Sequence, residues 1–214
     1  MNRRILTLGT GVLALAAFGG GAWLYSRGDL AGPIANVEDD VYVRPHSPVI
    51  GNPDARVTIV EFFDPSCEAC RAFHPILKEI LSRHREDLRI VLRYTPFHQG
   101  SDEAVRILEA ARRQNLFDAV LDVLMLRQPE WAEDGAPKLE NAWRFAGEAG
   151  LDLQRARQDG FHPSVDRALE IDLSDIRTLE VRRTPTFFVN KRPLVSFGPQ
   201  QLYELVLSEI RASR

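Results

Sequence analysis

At 214 residues, 44% hydrophobic and 27% charged, the chain suits one domain with a real core plus a tail, and it is too apolar for a disordered or fibrous protein. Its 27 basic and 30 acidic residues give a net charge of −3. With no basic run beyond the first few residues it lacks the electrostatic footprint of a nucleic-acid-binding surface, so nucleic acid is excluded as a partner.

Arg3 and Arg4 precede an uncharged stretch from Ile5 to Ser26, close to the roughly 20 residues that span a bilayer. Residues 1–27 therefore read as a signal peptide or signal anchor, with positive charge on the side that stays in the cytoplasm and the rest of the chain outside. The apolar stretch is longer than that of a cleaved signal, roughly 7 to 15 residues, and ends in "AWLYSRG", which favours an uncleaved anchor. Without residues 1–27 the chain keeps 24 basic and 30 acidic residues, so the exported part is mildly acidic.

Residues 28–45 mix Gly, Pro, Asp and Asn without helical period and read as a linker; the domain is expected from His46. "VTIVEFF" (57–63) has the β-branched and aromatic character of a buried strand. The next segment repeats apolar residues at helical spacing, Phe73, Ile76, Leu77, Ile80 and Leu81, and "LRIVLRYTPF" then reads as a second strand. If the two strands are parallel, the helix makes a right-handed βαβ crossover. From about 101 to 180 the pattern is helical: Ser101, Asp102 and Glu103 open a helix whose face is Ala104, Ile107, Leu108 and Ala111. Further helices follow, with Gly150 and Gly160 as expected stops and Phe117, Leu121, Leu124, Trp143 and Phe145 as expected core. "TPTFFVN" and "KRPLVSFG" read as a strand hairpin, and "GPQQLYELVLSEIRAS" as a closing helix with Pro199 in its first turn.

The only two cysteines, Cys67 and Cys70, sit in "DPSCEACRAF" between the first strand and its helix. At a helix start, this spacing brings two sulfurs within disulfide reach while unpaired N–H groups face the first of them. The helix N-terminus then favours a Cys67 thiolate, a good nucleophile and leaving group. A bridge closing so short a loop removes little chain entropy, so redox chemistry suits the pair better than structural crosslinking. Half a metal site is the other reading, with His74 or His98 completing the ligands.

Together, "VTIVEFFDPSCEACRAFHPILKEIL" and "LEVRRTPTFFVNKR" resemble the DsbA family of exported thiol:disulfide oxidoreductases. The resemblance covers 46–214 and implies an α/β thioredoxin fold, βαβ then ββα, with a helical domain inserted at about 101–180. It implies that Cys67 attacks and Cys70 resolves, that Thr184 and Pro185 form a loop whose cis proline faces the cysteines, and that Glu61 is a buried carboxylate near the resolving thiol. Burial would raise the pKa of Glu61 and let it take the proton of Cys70. The sequence departs from the strongest oxidases of the family at Glu68 and Ala69, between the cysteines, where those carry Pro-His. A carboxylate beside the sulfur opposes the thiolate, so Glu68 and Ala69 are expected to modulate the couple toward a less oxidising potential. Arg71, Arg182 and Arg183 favour the thiolate only where they face the sulfurs.

The sequence thus points to a periplasmic or extracytoplasmic enzyme, anchored to the inner membrane through its N-terminal segment, that exchanges disulfides with protein substrates bearing thiols or disulfides. It is expected to need no cofactor, because the redox-active disulfide stores two electrons, and no metal. A DsbB-like or DsbD-like membrane partner would recycle it. The alternatives are a thioredoxin-like copper-handling protein binding through the same cysteines, since soft thiolates suit Cu(I), and a noncatalytic chaperone on the same fold.

Overall fold

The computed structural model describes residues 40–133 and 136–214. The expected signal or anchor, and the linker as far as residue 39, lie outside the described residues. Among those described, five strands form one sheet: β1 (Val49–Gly51), β2 (Val57–Phe63), β3 (Leu88–Tyr94), β4 (Thr186–Val189) and β5 (Arg192–Pro193). The order is β1-β3-β2-β4-β5, with β2 and β3 parallel and every other pair antiparallel. The crossover from β2 to β3 runs through α1 (Glu68–Arg83), and α8 (Pro199–Ala212) closes the chain after β5. The fold is α/β and of thioredoxin type, βαβ then ββα around an inserted helical block.

Central position explains the composition of β2. It pairs with a strand on each side and is covered on both faces, so all seven residues are buried. Alternation along it divides the core. Val57, Ile59 and Phe63 join one cluster with Phe73, Leu77 and Ile80 of α1, which also takes in Leu202 and Val206 of α8. Val60 and Phe62 face the other side, against Val91, Ile176, Val181 and Phe188. Glu61 falls in register with the first set, the face that carries α1.

The helical block comprises α2 (Ser101–Arg113), α3 (Phe117–Leu126), α4 (Gln128–Trp131), α5 (Leu139–Glu148), α6 (Leu153–Asp159) and α7 (Pro163–Thr178). The expected core stripe is buried at Leu121, Leu124, Trp143 and Phe145, while Phe117 is half-buried against it. Gly150 ends α5 with φ +98°; its N–H bonds to Gly147 and that of Leu151 to Ala146, a Schellman closure needing a left-handed residue. Gly160 ends α6 for a different reason. Its φ is ordinary, but a Cβ there would stand 2.8 Å from the Arg106 carbonyl oxygen of α2.

Two local expectations change. Ser101 opens α2, yet its side chain does not cap the helix; its hydroxyl donates to Asp64. Of the expected partner strand "KRPLVSFG" only Arg192 and Pro193 form β5, and the pairing closes one residue further on, where the Leu194 N–H donates to the Phe187 carbonyl. The hairpin turns through Asn190 and Lys191, both at positive φ, as a two-residue turn of matching twist requires.

Residues 40–45 pack onto the domain. Arg93 is fully buried in β3; it donates to Asp172 and Asp175 of α7 and to the Val41 carbonyl. Arg44 makes a two-pronged bond to Asp175, and His46 lies 2.8 Å from Asp172, which also accepts the Tyr94 N–H. Removing one partner from such a network strands a buried charge. In urea denaturation, Asp172→Ala is expected to lower the unfolding free energy by about 3 kcal/mol. Glu79→Ala, which breaks the exposed Glu79–Arg83 pair, is expected to change it little.

Candidate active site

Cys67 is the N-cap of α1 and Cys70 lies one turn on, so the helix start presents the first sulfur and buries the second. Both are free thiols in this structure. Cys67 is 6% exposed and Cys70 is wholly buried. The Cys67 sulfur lies 3.3 Å from the Thr184 carbonyl oxygen, which accepts from it while it is a thiol. The preceding turn is held through its own backbone, with the Cys67 N–H donating to Asp64 O and the Arg71 N–H to Cys67 O.

These surroundings lower the Cys67 thiol to about 5. The largest cause is the Cys70 side chain, whose S–H donates to the ionised sulfur. Partial burial opposes it, and the Thr184 side chain and the N–H groups of Cys70 and Ala69 add to it. The Thr184 carbonyl favours the thiol and its side chain the thiolate; the net direction is down. Cys70 moves far above its ordinary value, chiefly through burial and then because its hydrogen is committed to Cys67. One sulfur is thus ready to carry charge and the other to keep its proton.

Glu61 lies at the centre of β2, opposite Leu92 of β3 and Phe187 of β4. It is 3% exposed, so it does not reach solvent from a strand end. Burial and then the charge of Cys67 push its carboxyl up to about 8, while a hydrogen bond with Cys70 opposes the rise. Its Oε1 has no hydrogen-bond partner among the described residues, a vacancy less costly for a neutral carboxyl than for an anion. The Thr184–Pro185 peptide is cis, and the Thr184 carbonyl lies against the Cys67 sulfur.

The structure therefore brings together Cys67, Cys70, Glu61, Thr184 and Pro185. Glu68 is exposed at the start of α1, and Ala69 contributes its N–H to the sulfur. The arginines do not converge on the pair: Arg71 bonds to Gln128, and Arg182 and Arg183 are exposed. The histidines face carboxylates, His74 with Asp122 at 2.7 Å and His98 with Asp64 at 2.6 Å. Among the described residues no group of three His, Cys, Asp or Glu is placed to hold a metal ion.

Two residues of the site escaped the sequence reading. Asp64 is buried and accepts the N–H groups of Ser66, Phe97 and His98 and the Ser101 hydroxyl, tying the cysteine turn to the start of α2. An Asx turn at "DPS" was its available signal. Gln128 reaches the same turn from α4, 61 residues beyond Cys67, and no local pattern marks it.

A family model described as thioredoxin matches residues 44–206. The Na(+)/H(+) antiporter NhaA of Herminiimonas arsenicoxydans is 34% identical over 144 residues, which cover 67% of this chain and 22% of that protein. The chain thus spans about a quarter of the length of such curated relatives. Among solved structures, a thioredoxin-like oxidoreductase from Silicibacter pomeroyi DSS-3 is 28% identical with a TM-score of 0.69, covering 80% of this chain and 96% of that one. Wolbachia pipientis alpha-DsbA1 shares the fold at 16% identity, with a TM-score of 0.70 over 80% of this chain and 94% of its own.

Glu61 and Cys67 act oppositely on stability. Between the ordinary carboxyl range and about pH 8 the folded protein keeps a proton on Glu61 that the unfolded chain has lost, so stability falls as pH rises. Between about pH 5 and the ordinary thiol range folded Cys67 has lost a proton that the unfolded chain keeps, so stability rises with pH. The contributions oppose each other in the reduced protein, whereas a disulfide leaves Glu61 alone. Urea denaturation across this window is expected to show the oxidised form losing stability relative to the reduced form as pH rises. Glu61→Gln should reduce the fall in the oxidised form. Parallel profiles for the two redox forms would contradict the lowered Cys67.

Proposed function

The chain belongs to the thioredoxin family, and its DsbA-like fold supports thiol:disulfide oxidoreductase chemistry; from that premise we propose that it is an extracytoplasmic enzyme exchanging disulfides with protein substrates through Cys67 and Cys70. The observation that carries this reading is the division of labour at the head of α1, a sulfur lowered to about 5 beside a buried thiol held protonated. That asymmetry supports attack by Cys67 and resolution by Cys70.

Running toward client reduction, the Cys67 thiolate attacks one sulfur of a client disulfide and expels the other as a thiolate, forming a mixed disulfide. Cys70 then gives its proton to Glu61 and attacks the Cys67 sulfur. The client's remaining sulfur leaves as a thiolate, and the Cys67–Cys70 disulfide holds the oxidising equivalent. Client oxidation is the same sequence reversed. Thr184 and Pro185 would present the client backbone beside Cys67, with Glu68 and Ala69 modulating the couple. Two electrons move with the sulfur pair, so the reaction needs no cofactor.

The leading Arg3 and Arg4 and the uncharged stretch after them support export and an inner-membrane tether. A DsbB-like or DsbD-like membrane protein would then restore the working redox state. A thiolate stabilised by folding favours the dithiol and makes the couple oxidising, and Glu68 moderates it. Equilibration of the purified protein with glutathione is expected to give a potential between about −270 mV, that of thioredoxin, and about −120 mV, that of a strong exported oxidase. Cys67→Ser should abolish exchange, and Cys70→Ser should accumulate a mixed disulfide with a disulfide-bearing client peptide. Undiminished exchange by Cys67→Ser would overturn the reading in favour of a noncatalytic binder.

A further inference from the structure

The turn from Asp64 to Cys67 aims α1 at its sulfur, and its hydrogen bonds divide into two sets. Its N–H groups are held from within, those of Ser66 and Cys67 by the side chain and carbonyl of Asp64. Two of its carbonyls are held from the helical block. The Gln128 amide donates to Pro65 O at 2.8 Å and to Cys67 O at 3.0 Å, and its Oε1 accepts from Arg71 Nε at 3.1 Å. The arginine contact fixes which end of the amide is oxygen, leaving both N–H donors for the two carbonyls. Gln128 is 2% exposed, so no solvent stands ready to replace them. Its helix is anchored separately by Trp131, wholly buried, whose ring N–H donates to Leu124 O.

We infer that Gln128 is a positioning residue for thiol:disulfide exchange, holding the Pro65 and Cys67 carbonyls so that the first-turn N–H groups of α1 stay aimed at the Cys67 sulfur. The inference rests on Cys67 being the attacking sulfur. The Cys67 carbonyl accepts both the Gln128 amide and the Arg71 N–H, which closes the first turn of the helix. The N–H groups of Ala69 and Cys70, which bear on the sulfur, lie within that turn. Releasing the carbonyls lets the turn rotate away from this alignment, so the thiolate loses donors although no charged group is removed.

Gln128→Met tests this in the reduced full chain, because it keeps the length of the side chain, removes all three hydrogen bonds and changes no charge. Glu61, Cys70, Glu68 and Arg71 are unchanged in sequence, and of these only Arg71 loses a hydrogen bond. The Cys67 titration is read from thiolate absorbance against pH, alongside the melting temperature, with Trp131→Phe as a variant that weakens the anchoring of α4 without touching the turn. Gln128→Met is expected to raise the Cys67 midpoint by about one unit, a tenfold loss of thiolate at fixed pH on its acid side, while Trp131→Phe leaves it in place. A Gln128→Met midpoint equal to wild type, whatever its melting temperature, or an equal rise in Trp131→Phe, would overturn the role. If Gln128→Met does not fold, Gln128→Asn, which keeps the amide one methylene short, is judged by the same midpoint. An ordinary thiol titration in the wild type would instead overturn Cys67 as the nucleophile, and this is seen before any variant is made.

Discussion

A negative sulfur at the rim of an apolar core is the constraint around which the rest is arranged. Charge there is tolerated only where donors replace the water that burial removes. The chain supplies a thiol from the next turn and two helical N–H groups, and it keeps the nearest carboxyl neutral over most of the useful pH range. Each provision depends on a different element. Cys70 must remain a thiol to donate, which its burial against the sheet ensures. The N–H groups must point outward, which requires α1 to begin at Cys67. Glu61 must keep its proton, which its place on the fully buried central strand provides.

The sequence made the frame legible because the frame is built from periodic patterns. "VTIVEFF" could be buried on both faces only as a central strand, and Phe73, Leu77 and Ile80 marked the buried side of α1. Glu61 showed as an acid inside an apolar run, and the paired cysteines with the late Thr-Pro marked the site. What escaped was non-local. Residues 40–45 read as linker because their ties run to Arg93 and to Asp175 of α7, far away in sequence. Ser101 looked like a cap because its partner, Asp64, is supplied by another loop. The arginines near the cysteines looked like possible modulators, yet Arg71 turns to Gln128 and Arg182 and Arg183 lie in solvent.

The inserted helices do more than enlarge the core. Asp64 ties the cysteine turn to the start of α2, and Gln128 ties it to α4, so the reactive turn is held at both edges by the insertion. Neither residue is distinctive by type; a buried glutamine becomes informative only when its partners are known to be the carbonyls of Pro65 and Cys67. The thioredoxin frame supplies the helix start, and the insertion determines how firmly that start is held.

Glu61 raises an apparent conflict, because a carboxyl lifted to about 8 is protonated near neutral pH and cannot accept the proton of Cys70. The causes of the lift resolve it. Burial acts at every stage of the cycle, but the Cys67 charge acts only while that sulfur is a thiolate. In the proposed exchange, formation of the mixed disulfide would remove that charge and lower Glu61 from its lifted value as Cys70 comes to need a base. It also ends the demand on the Cys70 hydrogen, which no longer donates to an ionised sulfur, and the Cys70 thiol falls in turn. In that proposed cycle the three groups would titrate as one unit whose proton positions follow the covalent state of Cys67, holding Cys70 protonated before attack and releasing it after.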